Sequence, residues 1–161
     1  MPTRKNTPFN VTLIGFMLGA TVFTESPVTH GAWIFSDSVN YFTCHFFHAN
    51  LFHWFCNAIF LWLMRPSPWA LAWAFPLAVV SMLLAIEPTL GFSAVIYAYL
   101  GMNMFRWKIS MLDWATFIVS NLFSAFIPNV AWGIHLLAFF LGWATYYTQK
   151  QIKRILLSLD H

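Results

Sequence analysis

Long apolar runs, broken by short polar or proline-containing segments, set the organisation of this chain. Measured against the length that a helix needs to cross a hydrocarbon core, they predict six helices, at about 9–24, 48–64, 68–86, 93–105, 111–127 and 132–148. No internal repeat is visible. The expected fold class is therefore all-α, a polytopic membrane bundle forming one domain over residues 1–161. The fourth run breaks the pattern. From Ser93 to Phe105 it supplies about 13 residues, or roughly 20 Å of helix, against a hydrocarbon core of about 30 Å. It cannot cross alone. Anchored at its basic end by Arg106, it should begin on the order of 10 Å below the opposite surface, with residues 87–92 dipping inward to meet it. Irregular backbone at that depth is tolerated only where protein covers it or water reaches it. The expectation is a wet, protein-lined cavity with Ser93 at its floor.

Composition agrees with a bilayer environment. Of 161 residues, 60% are hydrophobic and 8% charged. With a mean hydropathy of +0.66, the chain has too few polar groups to cover a water-facing surface. Trp33, Trp69, Trp107, Trp132 and Trp143 lie near the ends of apolar runs, as rings at headgroup level do. The opening Met-Pro-Thr-Arg-Lys-Asn leads into a run without a small-residue cleavage pattern, so a retained first helix is expected rather than a signal peptide.

Charge then orients the spans. Arg4 and Lys5 precede the first, Arg65 follows the second, Arg106 and Lys108 follow the fourth, and Lys150, Lys153 and Arg154 follow the sixth. Every basic residue falls on one side, which the positive-inside rule makes cytoplasmic, with both termini. Glu25, Asp37 and Glu87 fall on the other. The net charge of +3 reflects this topology. Basic groups scattered over short loops argue against nucleic acid as a partner. Cys44 and Cys56 define neither a disulfide framework nor a zinc site, and packing roles are expected for both.

Polar side chains inside spans are rare and are functional candidates by default. They form three groups: His48, His53 and Asn57 early in the second span; Gly91, Ser93 and Tyr97 at the start of the fourth; and His135 near the start of the sixth. His53 and Asn57 share one helix face, as do Ser93 and Tyr97. A serine hydroxyl becomes a useful nucleophile when a neighbouring base takes its proton, and His135 is the available base. His53 and Asn57 can donate to a developing oxyanion, and Ser93 at a helix start adds a backbone N–H and the positive end of a dipole. Each residue also has a plainer reading. Ser93 can be an N-cap, Asn57 an interhelical hydrogen-bonding residue, Tyr97 core packing, and Ala138 with Gly142 a small-xxx-small contact between the fourth and sixth helices.

His48-x4-His53-x3-Asn57 on the second span, Gly91-Phe92-Ser93-Ala94-Val95-Ile96-Tyr97 on the fourth and His135-x6-Gly142 on the sixth together resemble the rhomboid intramembrane serine proteases of compact, six-helix, prokaryotic type. The resemblance covers nearly the whole chain. It implies a Ser93–His135 catalytic dyad, an oxyanion site of His53, Asn57 and Ser93, and support from Tyr97, His48 and Gly91. It also implies location in a bacterial inner (plasma) membrane with the active site opening outward, and transmembrane protein substrates whose helices unwind easily near the cut. No cofactor or metal is called for. Three departures stand out: Ala94 replaces the last glycine of Gly-x-Ser-Gly, Ala138 stands where a glycine is usual, and Val39–Thr43 replaces a Trp-Arg-aromatic segment, so residues 25–47 are expected to be less firmly anchored. Two rivals remain at this level. One is a non-proteolytic relative that binds membrane clients; the other is a metalloenzyme built on His45, His48, His53 and His135.

Overall fold

The computed structural model describes residues 6–23, 40–85, 89–104, 111, 114–115, 117–119 and 131–159. Among them there is helix and no strand. The α-helices are α1 (Thr7–Phe23), α2 (Asn40–Thr43), α3 (Leu51–Met64), α4 (Pro68–Ala85), α5 (Ser93–Asn103) and α6 (Trp132–Leu159), with a 3₁₀ turn at Cys44–Phe46. The fifth predicted helix, 111–127, falls mostly outside the described residues.

The boundaries follow local chemistry. The apolar pattern places the second span from residue 48, but α3 starts at Leu51 because the Asn50 side chain accepts the His53 N–H at 2.8 Å and caps the helix. His48 therefore precedes α3. At its other end α3 stops on Arg65, whose left-handed φ of 45° turns the chain into Pro66. The sixth helix outruns its apolar stretch, which ends near residue 148; it continues to Leu159 because Gln, Lys, Arg, Ile and Leu all propagate helix and no Gly or Pro intervenes. The shortness expected of the fourth helix is more pronounced: α5 has 11 residues, about 16 Å.

Among the described residues one helix, Pro68–Ala85, is long and apolar enough to cross a bilayer by length and composition; α1 and α3, with 17 and 14 residues, are shorter apolar helices. The apolar character of α6 is diluted by its Gly, His, Thr and Tyr residues.

Packing centres on α5, which lies against α4 and α6, while α1 packs on α3 and on the 3₁₀ turn. The core holds Met17, Leu61, Ala74, Ala78, Met82, Val95, Ala98, Ile134 and Ala138. Small residues bring α5 and α6 together: a Cβ on Gly101 would overlap the Phe139 carbonyl oxygen, and one on Gly142 would overlap that of Ala98. Ala138 is fully buried in this seam, so its methyl is accommodated there. Asn6 and Asn10 tie α1 to the α3–α4 turn, donating to the carbonyls of Arg65 and Pro66 at 3.1 Å each. Of residues 25–47, expected to be loosely anchored, 25–39 lie outside the described residues, and the remainder is held by ring contacts. Phe42 and Phe46 both stack on Phe75 of α4, and Phe46 also meets Phe16 of α1 and Phe92.

Candidate active site

Ser93 is the first residue of α5, and Phe92 occupies the cap position without a side-chain cap hydrogen bond. The capping role is therefore not what the serine hydroxyl performs. Its Oγ lies 2.7 Å from His135 Nε2, on the first turn of α6. Ser93 is half-buried and His135 buried. Tyr97, one turn below Ser93, stacks on the His135 ring with centroids 4.6 Å apart and planes 4° from parallel. That contact restricts imidazole rotation and keeps Nε2 aimed at the serine. Nδ1 of His135 is buried without a hydrogen-bond partner among the described residues. In this dyad the ring is oriented by stacking. Phe117 packs on two further rings of this layer, Tyr97 and Phe139.

The chain ahead of Ser93 is held from several directions. Gly91 has φ +101°, a conformation that suits glycine, and a Cβ there would meet His53 Cε1 at 2.7 Å. The His53 ring thus rests on the Gly91 α-carbon, two residues before Ser93. His48 and His53 meet edge to face with centroids 5.1 Å apart. The Gly91 N–H donates to the Cys44 carbonyl at 3.0 Å, and the Gly91 carbonyl accepts from His45 Nδ1 at 3.4 Å. The Phe92 N–H donates to His48 Nε2 at 3.5 Å, and His48 Nδ1 lies 3.3 Å from Thr21 Oγ1 on α1. His45, ahead of α3, is neutral at pH 7, since burial lowers its pKa to about 4.

The structure therefore brings Ser93, His135, Tyr97, Gly91, His53 and His48 into one cluster. Asn57 is buried one turn along α3 from His53, and its amide donates to the His53 carbonyl at 3.2 Å. This internal bond braces the turn that carries the His53 ring. Of the histidines considered for a metal, His45, His48 and His135 direct nitrogens at backbone or hydroxyl groups, and the His53 ring packs on Gly91 and His48. Among the described residues no three His, Cys, Asp or Glu side chains group as a metal site. Cys44 is buried and contacts Met82 Sδ at 3.9 Å, and Cys56 is half-buried.

Sequence reading missed the bracing shell. The Cys44 carbonyl carries no signal because any residue could supply it, and Thr21 looks like one more small residue in an apolar run. His45 had a usable signal, its position three residues before His48 in a turn that must pack against the start of the fourth helix. Comparison of the chain with protein-family models, with curated proteins and with solved structures returned no match.

Proposed function

We propose that the chain is an intramembrane serine endopeptidase of rhomboid type, cleaving transmembrane protein substrates through an acyl-enzyme at Ser93. The observation that carries this reading is the 2.7 Å contact between Ser93 Oγ and His135 Nε2 at the start of a short helix. His135 takes the serine proton as Oγ attacks the scissile carbonyl, then returns it to the leaving amine. Water, activated by the same imidazole, hydrolyses the ester. The negative charge on the tetrahedral intermediate falls near the Ser93 N–H, one of the N-terminal amides that an α-helix leaves without a carbonyl partner. His53, held against Gly91, is the neighbouring side-chain donor, and Asn57 supports it.

A bilayer setting is favoured by the outer surface. Phe23, Phe52 and Trp69 are 87%, 76% and 78% exposed, and they belong to three different helices. Such a distribution of large apolar side chains suits lipid on several sides better than one docking patch. In this reading the six spans of the sequence pattern place the basic loops in the cytoplasm and Ser93 toward the outer face, where a cavity admits water.

The deciding experiment is labelling of the full chain, in detergent and in liposomes, with a fluorophosphonate serine probe, together with cleavage of a reporter transmembrane substrate. Ser93→Ala, His135→Ala and the double variant should lose both signals to similar extents, because the two residues act as a unit. Substantial cleavage by Ser93→Ala would overturn the proposal.

A further inference from the structure

Thr21 sits on α1, in a different helix from every group in the dyad, yet its hydroxyl reaches the histidine that holds the nucleophile's loop. The hydroxyl has one proton. That proton is committed to the Met17 carbonyl at 2.7 Å, the usual bond of a helical threonine to the preceding turn. Toward His48 Nδ1, 3.3 Å away, Thr21 Oγ1 can therefore only accept. Nδ1 must carry the imidazole proton, and in a neutral ring Nε2 is then a lone pair. A lone pair is what the Phe92 N–H, 3.5 Å from Nε2, requires. The two ends of the ring thus specify the same tautomer independently.

We propose that Thr21 is a positioning residue. Its hydroxyl oxygen holds His48 as the Nδ1–H tautomer, so that Nε2 can capture the Phe92 N–H and fix the peptide that precedes Ser93. The relay Met17 carbonyl, Thr21 hydroxyl, His48 imidazole, Phe92 amide is buried along its length; Thr21 and His48 are 9% and 0% exposed. Water has little access to replace a member of it. With the Phe92 N–H engaged by His48, the amide left to face a reacting oxyanion is that of Ser93. The His48 ring also packs edge to face on His53, so fixing one imidazole restrains the other. The catalytic consequence rests on the proteolytic reading above; the tautomer itself does not.

The test separates the two. In the full chain labelled with ¹⁵N-histidine in micelles, His48 is assigned by the signal lost in His48→Asn. Its spectrum should show a protonated Nδ1 and an unprotonated Nε2. Thr21→Ser, which keeps the oxygen, should preserve that signature. Thr21→Val keeps the shape but removes one acceptor, so the Nδ1–H population should fall to what the Phe92 amide and the Phe46 carbonyl support without it, and the rate of Ser93 labelling by a fluorophosphonate should fall by about fivefold, the worth of one ordinary hydrogen bond, with Thr21→Ser restoring both. A His48 protonated at Nε2 in the unmodified chain, or a tautomer unchanged in Thr21→Val, overturns the proposal. Should Thr21→Val fail to fold, the unmodified chain's tautomer still decides. An unreactive Ser93 alongside the expected tautomer would instead count against the proteolytic function and leave the relay standing.

Discussion

Adding one methyl group to Gly142 should test how far the dyad depends on the closeness of α5 and α6. A Cβ there would overlap the Ala98 carbonyl oxygen and lie 3.0 Å from the Met102 nitrogen. Both are backbone atoms, so no side chain can swing aside. Relief requires the helices to part by about 1 Å, an overpacking strain that typically costs about 1–3 kcal/mol. Alanine's better helix propensity offsets up to about 1 kcal/mol of that. Gly142→Ala should then lose about 1–2 kcal/mol net. A methyl added at Gly15 or Gly19 in α1 would meet nothing within 4 Å, so Gly15→Ala and Gly19→Ala should be neutral or stabilising by a few tenths to about 1 kcal/mol. They serve as matched controls for propensity. The effect on chemistry follows from geometry. Gly142 is two turns from His135 on α6, about 10 Å along the axis. Even half of the separation, transmitted to the dyad, would stretch its 2.7 Å contact past the range of a good O–H···N bond. Misplacement of reacting groups by about 1 Å can cost on the order of a hundredfold, so a tenfold to hundredfold loss in fluorophosphonate reactivity is expected. Thermal unfolding in detergent and labelling rates, measured for all three variants, decide the matter. If Gly142→Ala and Gly15→Ala shift the melting temperature equally and Ser93 reacts at its original rate, the close seam is not what aligns the dyad.

His53→Ala and Asn57→Ala should lower kcat by about one to three orders of magnitude with little change in KM if they act on the oxyanion; a lower melting temperature with unchanged kcat would assign them to interhelical bonding instead. Because His135 accepts a proton only as neutral imidazole, acylation of Ser93 should rise from acidic to neutral pH along a single protonation. A flat profile would count against a histidine base. Stability should also fall in acid on account of His45. Its folded pKa, about 4, lies below the ordinary 6.5, so between these values the unfolded chain binds the extra proton. The contribution of burying it neutral is complete above pH 6.5 and is lost progressively toward pH 4, by at most roughly 3 kcal/mol. His45→Asn should flatten the pH dependence of the melting temperature in that window, and an unaltered slope would refute the assignment.

Most of the helices and the approach of Ser93 to His135 were legible because they depend on local pattern. A Gly-Phe-Ser start on a run too short to span, and a histidine near the start of a later helix, place two side chains at comparable depth without further knowledge. Boundaries were less legible where apolar character and helical propensity part company. Beyond residue 148 the chain turns polar but stays helical, and at 48–50 a short His-Ala-Asn stretch lies between apolar runs that read as continuous, while Asn50 sets the real start. The bracing of Gly91 and Phe92 was not legible at all. It uses backbone carbonyls and a threonine on a distant helix, and their meeting is decided by tertiary packing. Asn6 and Asn10 were equally silent, since asparagines before and within an apolar run do not announce that they will reach the carbonyls of Arg65 and Pro66.

The uninterrupted course of α6 offers a practical lever. From Trp132 to Leu159 it is one helix of 28 residues, about 42 Å long. His135 on its first turn and Leu159 at its end are therefore parts of the same rod. A helical fusion partner joined in register at Leu159 would inherit the orientation of that rod without a flexible joint. Such a fiducial would enlarge a particle otherwise too small for single-particle imaging. In the bilayer setting proposed above, its tilt relative to the micelle would report any rotation of the helix that carries the imidazole.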